Sequence, residues 1–378
     1  RLCIAQNPVL RQLMERNSKF FTLFNKWRCD GSGSQSIYNQ QFDTPTESDA
    51  SVFSFAFVPL ELRHTDSGAV VRRSPVPGST RFRRPIKFSF QRETTESIIQ
   101  ETQLVRSQME NIAPSRVFID NTEISITHKF FMTMVDGKVI NALTRTGSTQ
   151  RCYTCKSTAK ERESGRQFLD VEENYQFGLS TLHLWIRSLE FFLKLSYKIE
   201  VEEWLRDVED EDYESWGAIK QAAIAQRRLD IQENVKKELG LIVDRPKSGV
   251  GNSNSGNVAR AFFRHSNKSS AITGIDEELI KMFRVALQTL SATFEIDTKK
   301  FADHIAKTKQ RLIDYYPGCT LTPTIHKLLD HSPQVIYSLT LPLGFFTEEA
   351  LEARNKDMRR FRLNNTRKIS RRATNIDP

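Results

Sequence analysis

Two kinds of residue in this chain could do chemistry: aspartates at the ends of apolar runs, and one closely spaced cysteine pair. Asp30 ends an apolar stretch and is followed at once by the Gly31–Gly33 turn text. Asp136 closes the β-prone run 129–135 and is followed by Gly137. Carboxylates at strand ends can share a cleft while the sheet holds their separation. Hard divalent cations take oxygen ligands, and a pair of such ions suits phosphoryl transfer. An Asp before Gly is also an ordinary turn residue, so these two positions alone do not define an active site. Cys152 and Cys155 are spaced as metal ligands can be, but Cys-x-x-Cys alone is a weak signal. His326 and His331, five apart, read by themselves as ordinary surface or core residues.

The elements around these residues give a mixed plan. Residues 7–26 carry apolar side chains at helical spacing (Leu10, Leu13, Phe20, Phe24), which predicts an N-terminal helical lead-in over 1–26. The runs 51–62 and 86–90 alternate as strands, and a Pro- and Arg-rich connector joins them. Residues 93–112 are helix-periodic; 117–119 and 129–135 are strand-like. After Cys155 the pattern turns helical. One long amphipathic helix is expected over 178–205, with Leu182, Trp185, Leu189 and Phe192 on its apolar face. Further helices are expected at 217–240, 275–291 and 298–315. A turn-rich loop spans 247–256, and a charged helix is expected over 346–372. The fold class is α/β with a large helical insertion.

Composition narrows the function classes. The 378 residues include five cysteines and carry a net charge of +9, with a pI near 9.3. A basic chain favours a polyanionic partner, and five scattered cysteines do not form a disulfide framework. No apolar run is long enough to cross a bilayer, so no membrane partner is expected. The first residues lack a Met and a secretory segment, and the chain reads as a fragment. Basic residues group at 72–84, 356–362 and 367–372. A solvated basic face, phosphate contacts or an import signal would each account for them.

Three separated blocks carry a family resemblance. The text around Trp27–Asp30, that around Asp136–Val139 and that from Glu348 to Asp357 resemble blocks of the Transib transposases, relatives of the V(D)J recombinase catalytic subunit. The phrases 178–187 and 251–260 fit as well, in the same order. The resemblance implies an RNase H-like catalytic domain over 27–150, interrupted by a helical zinc-binding insertion over 151–340. A C-terminal catalytic helix with a basic tail would follow over 341–378.

Carried over to this chain, the resemblance implies Asp30, Asp136 and Glu352 as the catalytic triad holding two Mg²⁺ or Mn²⁺ ions. Glu348 and Glu349 are rivals for the third place. It implies that Cys152, Cys155, His326 and His331 together hold one structural Zn²⁺, although more than 150 residues separate the pairs. Arg81, Arg83, Arg84, Arg354, Lys356, Arg359 and Arg360 become the expected DNA contacts. The expected activity is cut-and-paste transposition: nicking, hairpin formation and strand transfer at terminal inverted repeats of double-stranded DNA. It would take place in the nucleus, by a homodimer with a possible accessory protein. A repeat-binding domain is expected before residue 1. Two alternatives stand beside this reading: a domesticated non-catalytic DNA-binding protein, and an RNase H-like nuclease that cuts without joining.

Overall fold

A computed structural model describes residues 8–15, 19–33, 51–91, 93–119, 121–133, 137–163, 169–199, 213–246, 253–348, 360–361 and 363–365. The chain divides into two compact units. One is residues 1–149 with 176–178 and 345–378; the other is residues 150–175 with 179–344.

The first unit is built on a mixed sheet. After a short helix α1 (Pro8–Glu15), the chain forms β1 (Phe20–Ser32), β2 (Val52–His64), β3 (Val70–Arg73) and β4 (Arg84–Ser89). Helix α2 (Thr95–Glu110) follows, then β5 (Ser115–Ile119), β6 (Thr122–Met132) and helix α3 (Gly137–Leu143). Strand order is β3-β2-β1-β6-β5, with β4 also pairing β2. β1 is antiparallel to β2 and parallel to β6.

The expectation of a helix over 7–26 is corrected here: helix stops at Glu15, and Phe20 onward is the central strand. The reason lies in burial. Phe21, Trp27 and Cys29 are buried on one face of β1, and Phe24, Lys26 and Arg28 on the other. A strand covered on both faces loses the clean alternation that marks a half-exposed one, so its large apolar side chains matched helical spacing by accident. Strand β3, within the stretch read as connector, was also missed. It has four residues, two of them exposed arginines. α1 buries Leu10 in a cluster with Phe21, Leu62, Val71, Ile119, Ile124 and Ile126.

α2 matches the expected helix and begins with a reciprocal Thr94–Ser97 capping box. Thr102 of α2 lies 3.8 Å from the Cys29 sulfur, so α2 covers the odd-numbered face of β1. The even-numbered face is covered differently. The buried Lys26 ammonium donates to the carbonyls of Phe345 at 2.9 Å and Thr347 at 2.7 Å. Phe131, the register partner of Lys26, stacks near Phe24 and meets Phe346 edge-on.

The second unit is helical. Its elements are α4 (Ala159–Glu163), α5 (Thr181–Ser196), α6 (Tyr213–Leu239), α7 (Gly256–Arg264), α8 (Ser266–Thr273), α9 (Glu277–Leu290), α10 (Thr298–Tyr315), α11 (Pro323–His326) and α12 (Ser332–Ser338). Its core is aromatic: Phe192 meets Phe263 at 5.4 Å and Phe283 at 4.8 Å, and Trp185 meets Phe263 at 5.8 Å between ring centroids. Edge-on pairs of this kind add to the burial term. α5 is shorter than the helix expected over 178–205. Ser180 caps it, its Oγ accepting from the His183 amide and lying 2.7 Å from His183 Nδ1. Residues 200–212, which include the end of the helix expected over 178–205, and loop residues 247–252 lie outside the described residues. No helix among the described residues is long and apolar enough to cross a membrane.

Candidate metal centre and the carboxylate strand

The four sulfur and imidazole ligands converge within the helical unit. Cys152, Cys155, His326 and His331 are all buried, and one ligand atom from each lies within 4.8 Å of all the others. Cys155 Sγ is 3.2 Å from His326 Nε2, and the two histidine Nε2 atoms are 3.0 Å apart. With Zn–S near 2.3 Å and Zn–N near 2.0–2.1 Å, tetrahedral corners fall roughly 3.3–3.8 Å apart. These two spacings are within a few tenths of an ångström of that, and every other pair of ligand atoms lies within 4.8 Å. Two soft thiolates and two imidazoles are a tetrahedral zinc donor set. This Cys₂His₂ cluster could hold a metal such as zinc.

Local structure explains how each pair is presented. The cysteines lie on a tight knuckle in which the Lys156 amide donates to Cys152 O at 2.8 Å and the Cys152 amide to Ser157 O at 3.0 Å. Lys156 holds a positive φ of 61° to close it. Arg162 donates to Ser157 O and to Leu321 O, tying the knuckle to the chain entering α11. The histidines depend on a helix defect. In a regular α-helix, residues five apart point roughly 140° away from each other. Residues Lys327–His331 instead form a π-turn, whose i→i+5 hydrogen-bond pattern widens the turn. Both imidazoles therefore reach one site, with ring centroids 4.7 Å apart.

Two carboxylates behind the histidines were not anticipated from sequence. His326 Nδ1 is 2.8 Å from Asp330 Oδ2, and His331 Nδ1 is 3.0 Å from Asp170 Oδ2. With each Nδ1 facing a carboxylate, each Nε2 lone pair is turned toward the cluster, the outer-shell arrangement that orients metal-binding histidines. Asp330 was legible in principle, since it stands four residues after His326. Asp170 was not, because only tertiary folding brings it there. Lys309 also pairs with Asp330, and Tyr175 donates to Asp170 Oδ2 at 2.5 Å.

The titration of the cluster follows from these contacts. The Cys152 thiol is drawn down to about 6, chiefly by its hydrogen bond with Cys155 and against the opposing effect of burial. For His326, burial favours the neutral ring, but hydrogen bonds to Asp330 and Cys155 outweigh it and raise its pKa. Burial raises Asp330, yet its bonds to His326 and Lys309 bring it down to about 2. Asp330 thus stays ionised behind the His326 ring. Cys29 is the contrast: burial pushes its thiol up to about 12, so it is an inert core residue. The described cysteines form no disulfide.

The carboxylate strand lies in the first unit. Asp30 is the one member of the expected triad among the described residues; Asp136 and Glu352 lie outside them. Its carboxylate is 15% exposed and meets Arg28 Nη2 at 2.8 Å, two residues back on the same face. Ser54, its register partner, donates to Asp30 O at 3.3 Å.

The flanking ends of both outlying acids are described. Trp27 pairs with Met132 across the parallel β1–β6 ladder, so Asp30 is three residues beyond that pair and Asp136 four. The Glu93 carboxylate occupies the space a side chain on Gly31 would need, 2.6 Å from an ideal Cβ. Lys138 donates to Glu93 O at 2.6 Å. Those contacts tie the first turn of α3 to the end of β1. The segment leading toward Glu352 is held to β1 by Lys26, and Glu348 within it is buried.

The expected DNA contacts separate. Arg81 and Arg84 are exposed, whereas Arg83 is buried and donates to Ser54 Oγ at 3.4 Å. Arg360 is exposed; Arg354, Lys356 and Arg359 lie outside the described residues. A scan against family models and a search of curated proteins found no match to this chain.

Proposed function

We propose that this chain is the core of a cut-and-paste DNA transposase or recombinase of the Transib type, with an RNase H-like catalytic domain. The observation that carries the reading is the parallel pairing of β1 with β6. It runs two strands side by side toward the same end, and in sequence Asp30 follows Trp27 by three residues and Asp136 follows Met132 by four. The antiparallel β1–β2 neighbour and the helix α2 preceding β5 and β6 are compatible with an RNase H-like sheet. Lys26, which binds the backbone of 345–347 to the Asp30 face, supports a third carboxylate from the segment that follows.

Asp30, Asp136 and Glu352 would hold two divalent cations. Such ions activate the attacking oxygen and stabilise the leaving one in phosphoryl transfer. Asp30 supplies an oxygen donor of the right kind, only slightly exposed. In the proposed cycle a water oxygen attacks a phosphodiester at each terminal repeat and frees a 3′ hydroxyl. That hydroxyl attacks the opposite strand to leave a hairpin, and the released end later attacks target DNA. The first step hydrolyses one phosphoester bond and each later step exchanges one phosphoester bond for another, all by attack of an oxygen on phosphorus, so one site serves throughout. Arg81, Arg84 and Arg360 are exposed cations available to phosphates of double-stranded DNA. Zn²⁺ on the Cys₂His₂ cluster would be structural, since four protein ligands leave no open position. A homodimer acting on paired ends in the nucleus completes the proposal.

The test is cleavage of inverted-repeat DNA by the full-length protein in Mg²⁺ or Mn²⁺, with Asp30→Ala, Asp136→Ala and Glu352→Ala alongside. Glu348→Ala and Glu349→Ala decide the third position. Hairpins made by the parent and lost in the aspartate variants support the reading. DNA binding without any cleavage would replace it with a non-catalytic binder, and cleavage surviving Asp30→Ala would overturn the assignment of that residue.

A further inference from the structure

The helical unit contains a cleft of about 220 Å³ lined by Trp185, Arg260, Arg264, Arg284, Gln288 and Ser291. Two helices build its charged walls by the same device. α7 presents Arg260 and Arg264, and α9 presents Arg284 and Gln288, each pair four residues apart and so on one helix face. Trp185 forms the third wall. It is buried, its indole N–H donates to Ser291 Oγ at 3.1 Å, and the Arg260 guanidinium lies 5.9 Å from its ring centroid. These contacts hold the aromatic wall in place, and the described lining residues include no carboxylate.

Three guanidiniums sharing one cleft repel each other, and no salt bridge among the described residues engages Arg264 or Arg284. A structural explanation covers part of this. Arg284 Nη1 donates to Arg264 O at 3.3 Å, at the carbonyl end of α7, where a cation is favourable. That accounts for Arg284, and Arg260 lies against the Trp185 ring, while Arg264 is exposed at the same cleft. Planar guanidiniums with several N–H donors match the oxygens of a phosphate group. The Gln288 amide adds a neutral donor to the lining, whereas the Ser291 hydroxyl donates to Leu287 O.

We infer that this cleft is a binding site for a phosphate group, with Arg260, Arg264 and Arg284 as its ligands. The lining shares no residue with the proposed carboxylate triad or with the Cys₂His₂ cluster, and the inference does not depend on the transposase reading. The chemistry is shared by a free polyphosphate and by the backbone of a nucleic acid, and the experiment separates these sources.

The experiment is calorimetric titration of the full chain with pyrophosphate, repeated for Arg264→Ala, Arg284→Ala and the double variant. Each guanidinium contributes charge-assisted hydrogen bonds, so each single change should weaken binding about tenfold or more. Arg264→Lys should recover only part of the loss, because the planar fork is gone. Thermal melting checks that the variants fold; Arg264 is exposed and tolerates replacement. Tryptophan emission gives a second readout, with Trp185→Phe removing the response of this wall. Displacement of pyrophosphate by a short DNA duplex would assign the cleft to a nucleic-acid backbone, and no displacement would assign it to a free phosphorylated ligand. Pyrophosphate binding absent in the parent, or unchanged in the folded double variant, would overturn the inference.

Discussion

Replacing Asp170 by Ala tests whether the buried cluster is organised as a metal site and not merely packed as one. Asp170 contributes no ligand atom to the cluster. It acts through His331, whose Nδ1 lies 3.0 Å from its Oδ2. Without that acceptor the His331 ring loses its fixed tautomer and orientation, and Nε2 no longer points at the site by default. Loss of such an outer partner typically lowers metal affinity 10–100-fold, or about 1.4–2.7 kcal/mol. The same oxygen accepts from Tyr175, so Tyr175→Phe is the control. It removes that donor, leaves the His331 contact intact, and should keep affinity within about threefold of the parent.

The assay is zinc content of the purified chain, followed by competition against a chromogenic chelator at fixed pH. Full chelation extends the same argument to stability. A bound metal would cross-link Cys155 to His326, 171 residues away, and chain entropy alone puts such a link at about 5 kcal/mol. That figure is an upper bound, because helix packing in the unit already restrains both segments. Parent affinity retained by Asp170→Ala would refute the orienting role. A chain that takes up no zinc, even when refolded with it, would refute the metal centre itself.

Two further predictions concern stability. Lys26→Met removes the buried ammonium that binds Phe345 O and Thr347 O; with those carbonyls losing their donor, urea denaturation should show a loss of about 2–3 kcal/mol, and an unchanged midpoint would mean that 345–347 is held by other contacts. Asp276 caps α9 through the Leu279 amide and pairs with Arg311, and the Arg311 hydrogen bond, opposed by burial, sets its pKa below the ordinary 3.8. A depressed carboxyl stabilises the fold above its unfolded value and loses that contribution as pH falls through the lower folded value. Asp276→Ala should therefore cost about 1–2 kcal/mol at neutral pH. The gap from the parent should close as pH falls below 3.8; a gap independent of pH would place the effect in packing and not in charge.

Much of the secondary structure was readable from local pattern. Helix periodicity over 93–112 and 298–315 corresponds to α2 and α10, and alternation over 51–62 corresponds to β2. These elements have one face toward the core or strong end signals, so local spacing reports burial directly. β1 was misread for the opposite reason. It is the central strand, buried on both faces and paired to β2 and β6, and those partners are distant in sequence. No local spacing encodes that.

The candidate site divides along the same line. By itself the sequence determined the ligand types: two thiols at metal spacing, two imidazoles, and aspartates at the ends of apolar runs. Tertiary structure decided that the thiols and imidazoles meet. His326 and His331 reach one point because the chain takes a π-turn between them, and Asp170 joins from 161 residues away. The cost of an α-helical defect is local, but the contacts that compensate it are long-range, and they exist only once the unit is folded. The same holds for Lys26 beneath the 345–347 backbone and for the arginines that α7 and α9 direct into one cleft. Residue chemistry is a property of the chain, whereas convergence is a property of its packing.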